Sequence, residues 1–127
     1  KARSKSQAYA LARAVRVSLA REPAINKIRL LLSSADKHCL AALKTYLPLY
    51  DRAYVTTRIT ARSVHYAKTV GCVAINPDAQ HVTKRALKKA HDANLGVIAW
   101  TVNDAKQIKG LYDKGIDGIF SDVVAPE

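Results

Sequence analysis

The sequence predicts an α/β protein built on a parallel sheet, and three observations carry that prediction. Residues 96–122 read as a buried strand ending in Asn103-Asp104, a short helix stopped by Gly115, and a second strand ending in Ser121-Asp122. That is one β-α-β unit, whose right-handed crossover implies two parallel strands. The rest of the chain repeats the alternation of short apolar strands with helical segments of about ten residues. Finally, cap residues and Gly or Pro stops punctuate these segments at the places helices need them.

Taken in order, the first element is an amphipathic helix over residues 1–21, with six basic residues, no acid, and Ala8, Leu11, Ala12, Val15 and Leu19 on one face. Such an Arg-rich helix also suits a transit peptide or a membrane surface. Pro23 and Asn26 lead directly into a strand at residues 28–33, which favours an outer helix packed by its apolar stripe on the sheet. Residues 1–22 are therefore assigned to that helix and 23–127 to the body of the fold. A helix over 36–46 carries Cys39, Leu40, Leu43 and Leu47 on one side and stops at Pro48. Residues 53–57 form a short strand. Thr60 caps a helix running to Val70, which Gly71 terminates as a C′ glycine. Residues 72–75 form the next strand, Asn76-Pro77-Asp78 a turn, and Thr83 caps a helix to about Ala93. The β-α-β unit completes five strands, and periodicity alone does not choose between an open sheet and part of a barrel.

At 127 residues the chain is one domain at most. It begins with Lys1 and contains no Met, so a portion of a longer product is expected. The net charge of +11 lies wholly in the first half: residues 1–68 hold fourteen Lys or Arg against Glu22, Asp36 and Asp51, and residues 69–127 hold seven of each sign. A basic surface there suits nucleic acid, anionic lipid or a phosphorylated substrate; the plain alternative is a solvated face. Cys39 and Cys72 match no metal spacing and are too few for a disulfide framework, so buried free thiols are expected. No apolar run approaches the roughly 18 residues needed to cross a bilayer. The compartment stays unassigned, with a cytoplasmic or a membrane-associated parent both open.

The residues of the β-α-β unit go further than its pattern. Trp100-Thr101-Val102-Asn103, followed by Gly115-Ile116-Asp117-Gly118-Ile119-Phe120-Ser121-Asp122, resembles the last two strands of the glycerophosphodiester phosphodiesterase family. There the run reads Trp-Thr-Val-Asn, then Gly-Val-Asp-Gly-Ile-Ile-Thr-Asp. Upstream, Ile75-Asn76-Pro77 with Val82-Thr83 and His91-Asp92-Ala93-Asn94-Leu95-Gly96 is similar to the preceding strand and helix. Leu30-Leu31-Leu32-Ser33-Ser34 resembles the family's strand four, except that Ala35 replaces an aromatic that would line the cleft. The likeness covers roughly residues 28–125. It implies a partial (β/α)8 TIM-type barrel, with these five as strands four to eight. Five such strands alone leave two open edges and an uncovered inner face, so the missing barrel half, a partner chain or a second copy is expected.

Candidate chemistry is sparse. The sequence has no nucleophile elbow, no Walker loop, no dinucleotide fingerprint and no His-x-x-x-His pair. His38, His65 and His91 fall on predicted outward helices, and His81, in a loop after a strand, is the one placed to reach a site. Asp78, Asp104 and Asp122 are spread over three loops, which is not a metal site by spacing. Asp104 reads as a first-turn acid and Asp122 as a strand-end hydrogen-bonding group. Trp100, the sole tryptophan, either packs on the alcohol portion of a substrate or fills the barrel. Asn103 either bonds substrate or caps the next helix, the cap being preferred. The segment 115–118 precedes the last strand and belongs to the stability face. Lys84-Arg85 and Lys88-Lys89 form a basic stripe without interleaved aromatics, which suits a solvated face better than single-strand binding.

The resemblance implies a phosphoric diester hydrolase of lipid metabolism, giving glycerol 3-phosphate and an alcohol with calcium or magnesium as cofactor. The family's catalytic His-Arg-Gly and metal-binding Glu-x-Asp do not occur in this chain. The expectation is therefore a C-terminal portion inactive alone, with no catalytic residue or metal ligand, and with Trp100 and Asn103 lining the substrate. The alternative is an inactive barrel-half scaffold, or a basic module binding nucleic acid, anionic lipid or a larger assembly.

Overall fold

The computed structural model describes residues 4–22, 24 and 29–123. Helices and strands alternate through them: α1 (Lys5–Ala20), β1 (Leu31–Ser34), α2 (Lys37–Tyr46), β2 (Asp51–Val55), α3 (Ala61–Thr69), β3 (Ala74–Asn76), α4 (Lys84–Asp92), β4 (Gly96–Ala99), α5 (Ala105–Lys114) and β5 (Gly118–Ile119). A 3-10 turn at Ala79–His81 follows β3.

Every strand pairing is parallel, and the order in the sheet is the order in the chain, β1-β2-β3-β4-β5. A doubly wound sheet reverses its order at a switch point, so an unreversed series is the arc of a barrel. One face of the arc packs on the helices: Ile75, Val97 and Ala99 join Leu87, Ala90 and Leu111 in the main core. Strand alternation turns Ala53, Ala74 and Gly96, which lie in register, to the opposite face.

Side-chain caps start all five described α-helices. Ser4, Asp36, Thr60, Thr83 and Asp104 accept from the amides of Gln7, Cys39, Ser63, Ala86 and Gln107. Each satisfies an orphan donor and stabilises its helix by about 1 kcal/mol. At the far ends Gly71 and Gly115 take left-handed φ values of 70° and 102°, where a side chain is strained.

Strand boundaries differ from the pattern at both ends: β4 stops at Ala99 and β5 at Ile119, so Asn103, Ser121 and Asp122 lie in the loops beyond the strands, and the starts of β1, β2 and β3 also shift. The described β1 begins at Leu31, while Ile28 lies outside the described residues. β2 begins at Asp51, two residues early, because two charged side chains disguise its start. Asp51 pairs with Arg29 at 3.2 Å, and the Arg52 guanidinium is buried against carbonyl oxygens. It donates to Leu47 O (3.5 Å), Tyr50 O (3.1 Å), Val70 O (3.3 Å) and Gly71 O (3.2 Å). These carbonyls close α2 and α3, so one cation neutralises two helix ends. Cys72 precedes β3 rather than lying in it; its amide bonds to Ala67 O at 2.9 Å and finishes α3.

α1 packs on α2 through small residues, Ala8 and Ala12 against Cys39 and Ala42. Its stripe is only partly covered, since Leu11 remains 46% exposed. Leu11 and Val15 instead face an apolar groove of about 480 Å³ floored by Leu31 and Leu32. Among the described residues no helix is long and apolar enough to cross a membrane.

Candidate functional site

Parallel strands with their helices outside bring all their carboxyl ends to one rim. Ser34, Val55, Asn76, Ala99 and Ile119 end the five strands, and the loops beyond them are stitched together. The Thr56 amide donates to Asn76 O at 3.0 Å, and the Asp78 amide to Thr57 O at 3.1 Å. Asp78 Oδ1 accepts from the Gln80 amide at 3.0 Å, which commits that carboxylate to starting the 3-10 turn.

Trp100 is held at three points. Its indole Nε1 donates to Asn76 O at 2.8 Å, its amide donates to Pro77 O at 3.0 Å, and its carbonyl accepts from the Ala79 amide at 2.8 Å. The ring is half-buried just past the end of β4. Asn76 beneath it is fully buried.

Asn103 does not cap α5. Asp104 does, through Oδ2 to the Gln107 amide at 3.1 Å. The Asn103 Oδ1 instead accepts from Ser121 Oγ at 3.0 Å and from the Asp122 amide at 2.9 Å. It thus ties the loop after β4 to the loop after β5. Sequence reasoning missed this bridge because its partners are eighteen and nineteen residues away, and no local signal marks it.

The resemblance-bearing Asp117 lies at the opposite face, as its place before the last strand predicts. Its Oδ2 accepts from the Val97 amide at 2.8 Å and lies 2.7 Å from His91 Nε2. That oxygen therefore joins α4, the start of β4 and the approach to β5. His38 and His65 are exposed on α2 and α3; His81, half-buried in the 3-10 turn, is the histidine in a rim loop.

Among the described residues no three His, Cys, Asp or Glu side chains gather to hold a metal ion. Asp78 Oδ1 and Asp104 Oδ2 each accept a backbone amide as a cap, and Asp122 bonds through its amide rather than its carboxylate. Both cysteines are buried, and burial pushes the Cys72 thiol up to about 11, with Arg52 opposing the shift. A protonated, buried thiol is neither a nucleophile nor a ligand. On α4, Lys84, Arg85, Lys88 and Lys89 are exposed, and Lys88 pairs with Asp92 at 2.7 Å.

A model of the glycerophosphoryl diester phosphodiesterase family matches residues 2–125. The chain belongs to this family. It is 31% identical over 96 residues to a glycerophosphodiester phosphodiesterase of Bacillus altitudinis, across 74% of this chain and 39% of that protein. It is 28% identical over 96 residues to the uncharacterized protein YqiK of Bacillus subtilis (strain 168), across 74% of this chain and 40% of that one. Among solved structures, an Oleispira antarctica phosphodiesterase in complex with the product sn-glycerol-3-phosphate superposes with a TM-score of 0.86 at 22% identity. That match covers 94% of this chain and 48% of the other. A Silicibacter pomeroyi protein, a putative glycerophosphoryl diester phosphodiesterase, gives 0.82 at 24% identity, covering 94% and 42%. These likenesses establish the phosphodiesterase barrel as the fold, and the chain spans from two fifths to about half the length of these relatives.

Proposed function

We propose that the phosphodiesterase to which this chain contributes hydrolyses a glycerophosphodiester to glycerol 3-phosphate and an alcohol, and that this stretch supplies a wall of the substrate cleft. The supporting observation is the Trp100 indole, anchored by its N–H to Asn76 O at the carboxyl-end rim, with its ring half-buried. A ring fixed at the polar edge offers its apolar face to the carbon skeleton of a substrate at little entropic cost. Asn103, tied to Ser121 and Asp122, keeps the last two loops in one arrangement beside it. The calcium or magnesium typical of the family is assigned to carboxylates outside the described residues. The free edge of β1 and the apolar groove beside α1 are assigned to the preceding strand of the barrel, with α1 as its outer helix.

Glycerol 3-phosphate release from glycerophosphocholine, with calcium or magnesium added, tests the reading in the chain alone and in the full-length protein. The chain alone is expected to be inactive. In the full-length protein Trp100→Ala should raise KM about tenfold, the loss of roughly 1.4 kcal/mol of contact. Metal-dependent turnover by the chain alone would overturn the division of labour, and unchanged kinetics would remove Trp100 from the cleft.

A further inference from the structure

We propose that the cavity between the carboxyl end of β2 and the first turns of α2 and α3 binds a phosphate monoester dianion through Lys37, Arg58 and Arg62. This cavity encloses about 310 Å³, and its lining includes these three cations, Thr57, and the Tyr54 and Tyr66 rings, with no carboxylate. None of the three cations forms an ion pair among the described residues. All three are exposed, so water screens part of their mutual repulsion, and an anion between them relieves the remainder. Two guanidinium forks and an ammonium supply many donors and no acceptor, which selects a ligand rich in anionic oxygens. A phosphate monoester meets that requirement, and the remaining volume leaves room for its organic part along the tyrosines.

The scaffold carrying these charges is fixed before any ligand arrives. Arg58 O accepts from Thr56 Oγ1 at 3.3 Å and from Ser63 Oγ at 3.2 Å, and the neighbouring Ile59 is buried. Thr60 and Ser63 exchange the two bonds of a capping box that sets the start of α3, beside Arg62. Tyr66 Oη donates to Lys37 O at 3.2 Å, which locks the start of α2 against α3. The Lys37 ammonium lies 5.0 Å from the centre of the Tyr66 ring, and that ring meets Tyr54 edge-on at 5.0 Å. Only the tips of the three cationic side chains must reorganise on binding, which keeps the entropic cost low. Since Tyr54 packs on Tyr66 of α3, this cavity opens on the helix side of β2. It is distinct from the Trp100–Asn103 rim at β4 and β5.

The dianion comes either from a soluble phosphate ester or from a lipid headgroup, and two arms separate these sources. Inorganic phosphate is titrated into the 15N-labelled full-length protein at low salt. In parallel, the full-length protein is sedimented with phosphatidylcholine vesicles with and without phosphatidic acid. The expected result is a saturable shift of the Arg58 to Ser63 amides with phosphate, weakened at least about tenfold in Arg58→Gln/Arg62→Gln, as lost charge-assisted bonds require. The exposed α4 control Lys84→Gln/Lys89→Gln should bind as the unmodified protein does. Sedimentation only with phosphatidic acid, abolished by the same double substitution, assigns the lipid source. A response to free phosphate without sedimentation assigns the soluble one. No response in either arm, or equal weakening by the α4 control, overturns the proposal, and unchanged melting of both variants excludes misfolding.

Discussion

Asp117 Oδ2 lies 2.7 Å from His91 Nε2 while accepting the Val97 amide at 2.8 Å, so one carboxylate oxygen clamps a helix to the start of a strand. The two contacts differ in weight. The His91 and Asp117 side chains are 39% and 48% exposed, and an exposed pair contributes at most about 1 kcal/mol. The Val97 amide, by contrast, belongs to a fully buried residue and loses its acceptor when the carboxylate is removed. Asp117→Ala should therefore destabilise by about 2 kcal/mol, and His91→Ala by less than about 1 kcal/mol. Urea midpoints of the two single variants and the double variant check the ranking, which equal losses would refute.

Arg52 carries a second clamp at the same face, with four carbonyl acceptors and no carboxylate. Arg52→Ala should cost about 3 kcal/mol, because the closing carbonyls of α2 and α3 lose their shared donor. Arg52→Lys should recover less than half of that, since an ammonium cannot reach four acceptors set for a planar fork. Chemical denaturation of both variants measures the difference. Full rescue by lysine would show that charge alone matters.

At the rim, Asn103→Ala should leave the exposed Asp122 amide without its acceptor, while Asp104→Ala should shorten α5 at its start and cost about 1 kcal/mol. Hydrogen exchange separates the two: faster exchange at Asp122 in the first variant, and at Gln107 in the second. Exchange at Gln107 in Asn103→Ala would restore the capping role to Asn103.

Alkaline stability follows from two acids shifted by burial, the buried Cys72 and the half-buried Tyr66. Burial raises the Cys72 thiol from 9.0 to about 11, and burial next to Tyr54 raises the Tyr66 phenol from 10.0 to about 12. Each group holds its proton longer folded than unfolded, so its contribution is complete below the unfolded pKa and declines as pH rises toward the folded value. Urea midpoints should be level to about pH 9 and fall between pH 9 and 12. In Cys72→Ala the decline should begin about one unit later, and an unchanged onset would remove the thiol from the account.

Much of the architecture was legible in the sequence because it rests on local chemistry. Thr60 and Thr83 cap, and Gly115 stops, where their neighbours in the chain require it. The Trp-Thr-Val-Asn and Gly-Ile-Asp-Gly runs pointed to the family that the full-chain match then established. The start of β2 was not legible, since Asp51 and Arg52 look like loop residues until Arg29 and the helix-end carbonyls are in place. The candidate site was legible only in part: Trp100 falls just past a strand end by its sequence pattern, but its anchor, Asn76 O, is twenty-four residues away.

The sequence by itself determined the alternation of helices and strands, the positions of most caps, and the family. Apolar periodicity and capping act over a few residues and can be read along the chain. Only the tertiary structure decided that Asn103 bridges two loops instead of capping a helix, that Asp117 clamps α4 to β4, and that Lys37, Arg58 and Arg62 surround one cavity. Those roles depend on which backbone donors and which charges a parallel sheet brings side by side. That proximity is set by strand register, which no local stretch of sequence specifies.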